Sequence, residues 1–286
     1  DVKLYSKADA GPGLLQDCLN RITEWSLTWQ LPISNSKCCI FEFGGRSDKR
    51  CPNVFNIGNC VLPVVQEVVD LGINIDSSLK FSQHIAKITV KGHKSANLIL
   101  KCFLSRDMSS LVRAFTTYVR PGLEYSSVTW NPMFKKDIVT LEKVQRRFTK
   151  RLPGLKHLTY CQRLAKLQLE SLELRRIRLD LIFAYKLVFG LVDLELSDFL
   201  QFRSNTRCRG HQYKLFLPSC SSTTRYNFFT HRVTRIWNEL PADTTDFSNL
   251  ASFKRSLNNS FLVRQMQGVL FLKSPTPNDM TLYKLT

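Results

Sequence analysis

Lys135-Lys136-Asp137-Ile138-Val139-Thr140-Leu141-Glu142-Lys143-Val144-Gln145-Arg146-Arg147-Phe148-Thr149-Lys150-Arg151 decides how most of this chain is read. Leu141, Val144 and Phe148, with Leu152 beyond them, recur every three or four residues, which is the spacing of one helical face. Lys143, Arg146, Arg147, Lys150 and Arg151 fall mostly off that stripe. The segment therefore predicts an amphipathic helix with a cationic outer face. Similar spacing predicts helices over residues 82–103, 108–119, 135–151, 160–168, 171–190, 224–240 and 249–263. Phe229, Val233, Ile236, Trp237 and Leu240 form a second clear stripe, stopped by Pro241.

Upstream of residue 81 the pattern changes. Pro12 suits a first helical turn, and Leu15, Cys18, Leu19, Ile22, Trp25 and Trp29 trace one apolar face of a helix that Pro32 ends. Cys38–Phe43 reads as a strand, and Val54–Ile57 as another, turning at Gly58-Asn59 into Val61-Leu62. Val69-Asp70-Leu71-Gly72-Ile73-Asn74-Ile75 alternates as a strand does. Residues 203–221 read as a loop with a short strand at Tyr213–Leu217, and the tail after Lys273 as disordered. The expected class is α+β, mostly α, with the strands confined to the N-terminal part.

Composition bounds the function. Among 286 residues, 43% are apolar and 22% charged, the balance of a globular chain. With no run of 18 apolar residues and no signal-peptide pattern, neither a membrane partner nor secretion is expected; the expected setting is intracellular, in cytoplasm and nucleus. Nine cysteines (18, 38, 39, 51, 60, 102, 161, 208 and 220) without regular spacing favour reduced thiols over a disulfide scaffold. The formal net charge is +18, and residues 135–178 hold 13 basic against 4 acidic side chains, half of the excess. Such a cluster suits a polyanion, because each neutralised phosphate releases condensed counterions; a solvated helical face is the alternative. Asp1-Val2-Lys3-Leu4-Tyr5, with no initiator Met, reads as the start of a fragment.

Most catalytic and nucleotide-binding signatures are missing. The sequence has no G-x-S-x-G elbow, Walker A loop or G-x-G-x-x-G fingerprint. Cys38, Cys39, Cys51 and Cys60 lack paired zinc knuckles; Cys208-x₂-His211 with Cys220 and His231 is better spaced, though plain thiols are the simpler reading.

Several ordered motifs carry a family resemblance. Asp1-Val2-Lys3-Leu4-Tyr5 resembles the residues from the end of the catalytic Asp-Asp turn onward in reverse transcriptases of non-LTR (LINE-type, jockey-like) retrotransposons. Trp25-x₃-Trp29-x-Leu31 with Asn35-x-Lys37-Cys38 resembles the next palm motif. Asp70-Leu71-Gly72-Ile73-x-Ile75-Asp76, then Leu79-x-Phe81-x₂-His84-Ile85, is similar to the primer-grip region. Val119-Arg120-Pro121-x-Leu123-Glu124-Tyr125 with Trp130 and Pro132 resembles the thumb. Glu142-x₂-Gln145-Arg146-x-Phe148, Tyr160-x₂-Arg163, Ser171-Leu172-Glu173-x-Arg175-Arg176 with Asp180, and Arg209-Gly210-His211 continue the series. Phe228-Phe229-x₂-Arg232-Val233-x₃-Trp237-Asn238-x-Leu240-Pro241 closes it.

The resemblance implies a division into a palm remnant (1–80), a helical thumb-like region (81–155), a helical C-terminal region (156–264) and a tail (265–286). It implies an RNA-directed DNA polymerase whose fingers and most of whose palm lie outside this sequence. In the intact enzyme Mg²⁺ ions would orient the primer hydroxyl and the deoxynucleoside triphosphate. None is expected to bind tightly to this fragment. Asp1 would be the second Asp of the metal-binding turn, Lys37 the general acid towards pyrophosphate, and Leu71-Gly72 the primer-grip turn. Lys143, Arg146, Arg147, Lys150 and Arg151, with a second cluster at Arg175, Arg176 and Arg178, would hold the duplex of RNA template and DNA primer by its shape. Phe148, Phe229 and Trp237 are expected in the core. A non-enzymatic basic module that binds RNA or protein, derived from such an element, is the alternative; a decayed product without a stable fold is a third reading.

Overall fold

The computed structural model describes residues 2–6, 12–43, 54–204, 210–220 and 222–257. They belong to two compact units, Asp1–His84 and Ile85–Thr286. The fold is α+β and mostly α. Asp1, Cys51, Cys208, Arg209 and the 265–286 tail lie outside the described residues.

In the first unit, α1 (Pro12–Thr28) packs against short strand pairs. β1 (Ile40–Phe41) runs parallel to β4 (Val64–Val65), while β2 (Asn56–Ile57) and β3 (Cys60–Val61) form an antiparallel hairpin. Leu19, Phe55, Ile57 and Leu62 are the buried centre, with Leu15, Ile33 and Ile40 around them. Gln16 fastens the helix to β2, donating from Nε2 to the Asn56 carbonyl (2.9 Å) and accepting from its amide (3.0 Å). The stripe expected on α1 is covered only along one edge. Leu19 is buried, whereas Trp25 and Trp29 are 51% and 65% exposed, because strands of two residues are too small to shield a full helical face.

The segment 69–75 is not one strand. β5 (Glu67–Asp70) and β6 (Ile73–Asp76) form an antiparallel hairpin that reverses at Leu71 (φ 46°) and Gly72 (φ 81°). Two successive positive φ values make the turn whose twist matches the strands, and glycine supplies the second without strain. Asp76 then holds the chain after β6, accepting from the amides of Ser78 (3.0 Å) and Phe81 (2.9 Å). Burial raises the pKa of this carboxyl, but these bonds and one from the Ser78 hydroxyl outweigh it, leaving a net lowering.

Helix α2 (Ser82–Cys102) leads into the second unit, followed by α3 (Met108–Tyr118), α4 (Arg120–Glu124), α5 (Ser127–Trp130) and α6 (Lys135–Lys150). α7 (Tyr160–Leu167), α8 (Leu172–Val188), α9 (Leu196–Phe199), α10 (Thr223–Asn227), α11 (Phe229–Glu239) and α12 (Leu250–Ser256) complete it. Caps fix several starts: Asp107 on α3, the Thr159–Gln162 capping box on α7, Ser171 on α8 and Asn249 on α12. The short helices α4, α5 and α9 carry too few residues for a periodic signal. The strand expected at 213–217 is a single bridge, Phe202 to Leu215.

The helix expected over 224–240 is two helices. Phe228 is extended (φ −63°, ψ 149°), because the Asn227 carbonyl accepts a bond from the Arg232 guanidinium (3.0 Å) instead of continuing the ladder. Arg232 organises the surrounding core as well. Its Nε and Nη2 meet the two Asp180 oxygens at 2.8 and 2.9 Å, and Nη2 also donates to the Val128 carbonyl at 2.6 Å. Asn131 supplies a further bond to Asp180. One buried pair thus ties α5, α8, α10 and α11, set among Ile177, Leu181, Val233, Trp237 and Phe253. Phe148, Phe229 and Trp237 are all buried, as expected.

Removing one member of a buried, hydrogen-bonded ion pair strands the other charge. Arg232→Met should cost about 3–5 kcal/mol in urea unfolding. A loss under about 1 kcal/mol would show that the pair organises nothing.

Candidate nucleic-acid interface

Helix α6 separates its charges by sign. Lys135, Lys136, Lys143, Arg146, Arg147 and Lys150 are exposed, and Arg151 follows them at the C-cap. Both acidic residues of the helix, Asp137 and Glu142, are buried at 7% exposure. Leu141, Val144 and Phe148 are buried beside them, and Phe148 stacks on Phe115 of α3 with ring centroids 4.5 Å apart.

The buried polar side chains of α6 are spent on anchoring. Glu142 accepts from the Tyr160 hydroxyl and from the Leu172 amide (3.2 Å). Gln145 Nε2 donates to Tyr160 Oη (3.0 Å) and to the Glu170 carbonyl (2.8 Å). Burial, then the Glu142 charge, pushes the Tyr160 pKa well up, so the phenol stays a donor. Arg163 is buried, donating to Thr149 Oγ1 (3.2 Å) and to the Leu158 carbonyl (2.5 Å). Tyr160 and Arg163, prominent in the sequence motif, therefore serve to seat α6.

The outer face is left to the cations. Lys143 and Lys150 make no hydrogen bond or ion pair among the described residues. Arg146 lies over the Tyr160 ring, 4.8 Å from its centroid. Burial, then the Arg147 charge, lowers the pKa of His93 on α2, and Arg151 donates to Asn97 of α2. Lys136, which is not among the residues expected from sequence, joins Lys143, Arg147 and Lys150 on one line of the helix. Its seven-residue offset from Lys143 is the signal that finds it.

The second expected cluster is largely committed to partners within the fold. Arg175 grips both oxygens of Glu124, and Arg178 pairs with Glu170 and donates to the Leu257 carbonyl (3.2 Å). Arg176 is 1% exposed. Arg175 and Arg178 are partly buried and held by Glu124 and Glu170, which converge on α8 from sequence-distant or loop positions, and Arg176 is too buried to reach a phosphate.

The remaining candidates lie in the first unit. Lys37 is exposed at the end of a single 3₁₀ turn (Asn35–Lys37), and Leu71-Gly72 is the exposed hairpin turn described above. Among the described residues no group of three or more His, Cys, Asp or Glu side chains could hold a metal ion. Cys220 and His231 do meet, Sγ to Nε2 at 3.2 Å, as a pair. No described helix is long and apolar enough to cross a membrane.

Comparison with known proteins gives distant relatives. The chain is 28% identical over 114 residues to an uncharacterised Caenorhabditis elegans protein, covering 39% of this chain and 58% of that one. It is 24% identical over 143 residues to the RNA-directed DNA polymerase from mobile element jockey of Drosophila funebris, covering 49% of this chain and 15% of the polymerase. Identity to the probable RNA-directed DNA polymerase from transposon X-element of Drosophila melanogaster is 25% over 149 residues, 51% of this chain and 16% of that protein. A region of this chain is distantly related to mobile-element RNA-directed DNA polymerases. It spans about a sixth of their length. No family model and no solved structure matches.

Tyr160→Phe removes a bond to the buried Glu142 carboxylate, so it should cost about 1–3 kcal/mol in thermal or urea unfolding. Since the phenol lies beneath α6, the salt dependence of any polyanion binding should stay unchanged; a flatter salt dependence would place Tyr160 in the interface.

Proposed function

We propose that this chain is part of a non-LTR retrotransposon RNA-directed DNA polymerase, in which the outer face of α6 holds the template–primer duplex by its phosphates. The observation that carries this reading is the partition of α6: every Lys and Arg of the helix faces out, while both of its carboxylates are buried. A face without compensating acids attracts a polyanion, and counterion release makes that binding steeply salt-dependent. Lys143, Arg146, Arg147, Lys150 and Arg151 are the contacts. Such contacts position a duplex and read no sequence. The distant relationship to mobile-element polymerases supports the choice of an RNA–DNA hybrid.

Chemistry is assigned to the intact enzyme. Asp1 and Lys37 would act there only together with the upstream palm, Mg²⁺ and a bound triphosphate. Leu71-Gly72 would abut the primer. The second reading, a non-enzymatic RNA- or protein-binding module, draws on the same cationic face.

Two measurements on the 286-residue chain test this. Fluorescence anisotropy with a mixed-sequence RNA–DNA hybrid should give log K falling linearly with log salt. Lys143→Glu/Arg147→Glu/Lys150→Glu should reduce the slope by about 2.7, three contacts at roughly 0.9 each. An unchanged slope would contradict the α6 assignment. Primer extension on poly-adenylate with Mg²⁺ should yield no product; robust synthesis would overturn the non-catalytic reading of this chain.

A further inference from the structure

Helix α2 repeats the charge pattern of α6 in a different part of the sequence. Its 21 residues contain no Asp or Glu. Lys87, Lys91, Lys94 and Lys101 recur at four, three and seven residues, and all four are exposed. Ile85, Ala96, Ile99 and Leu100 are buried on the opposite side. The exposed apolar residues between the lysines, Val90 and Leu98, suit the sugar edges of a shallow groove better than open water.

Contacts place this helix beside α6 and fix their relative direction. A Cβ on Gly92 would lie 2.9 Å from Leu123 and 3.4 Å from Val144, so glycine permits the close approach. Further along both helices, Arg147 acts on His93 and Arg151 donates to Asn97. Positions 144 and 151 of α6 thus meet 92 and 97 of α2, in the same order along both helices. His93 and Asn97 lie on the flank of α2 that meets α6. The lysine row begins next to that flank.

We propose that α2 is a second cationic rail, and that Lys91, Lys94 and Lys101 engage the second backbone of a duplex whose first backbone lies on α6. This rests on the reading of α6 given above. At 1.5 Å per residue the named cations span about 15 Å on α2 (Lys91 to Lys101) and about 12 Å on α6 (Lys143 to Arg151). A duplex presents two phosphate rows and loads both rails. A single strand presents one row, and loads one.

The test compares full-length Lys91→Ala/Lys94→Ala/Lys101→Ala with Lys143→Ala/Arg147→Ala/Lys150→Ala. The probes are a mixed-sequence 20-base-pair RNA–DNA hybrid and single-stranded RNA of equal length. Alanine keeps both helices favourable, and a melt verifies that each variant is folded. The α2 variant should lower the hybrid salt slope by about 2.7 and the single-strand slope by less than about 0.7. An unchanged hybrid slope in the α2 variant alone overturns this inference and leaves the α6 reading standing. An equal fall for both probes also overturns it, since α2 would then be part of a single-strand track. Unchanged slopes in the α6 variant overturn both.

Discussion

A carboxylate buried on a cationic helix has to be satisfied from outside that helix, and Glu142 is such a group. The Tyr160 hydroxyl and the Leu172 amide meet it, while Gln145 reaches the same hydroxyl and the Glu170 carbonyl. These bonds, made to Glu142 Oε1 and by Gln145 Nε2, hold α6 in one rotation about its axis. That rotation turns Lys143, Arg147 and Lys150 outward. The charge of the outer face is therefore a consequence of what the inner face must bury.

The same logic holds deeper in the helical unit. Arg232 and Asp180 are nearly inaccessible; two hydrogen bonds join them, and three more link the pair to Val128, Asn131 and Asn227. Their attraction would not offset desolvation without those additional bonds. The aromatic cluster of Tyr185, Trp237, Phe247 and Phe253 fills the neighbouring space at centroid separations of 4.6–5.7 Å. The outer faces of α2 and α6 carry exposed cations outside this cluster.

Legibility from sequence followed the range of the interactions involved. The helices α2, α3, α6, α7 and α8 were readable because apolar spacing is local. So was the burial of Phe148 and Trp237. The break at Phe228 was not, since it depends on where the Arg232 guanidinium goes after the chain has folded. The Leu71-Gly72 reversal was hidden because a hairpin of four-residue strands alternates much as one longer strand does. Trp25 and Trp29 belong to a face whose cover is not long enough to reach them. For Arg175, Arg176 and Arg178 the run of arginines gives the charge but not its partners, since Glu124 lies 51 residues away from Arg175. The α2 lysines, spread thinly along one long helix, escape notice for the converse reason. A density count weighs clustered charges, whereas a surface gathers charges from distant segments.

The claim that the outer face of α6 contacts nucleic acid is tested most directly by lysine footprinting of the 286-residue chain. Acetylation of each lysine would be followed by mass spectrometry with and without an RNA–DNA hybrid. Lys143 and Lys150 should be protected by the hybrid at low salt and released at high salt, while Lys166 and Lys254 react equally in both states. Protection spread evenly over all four lysines, or absent from Lys143 and Lys150, would contradict the account.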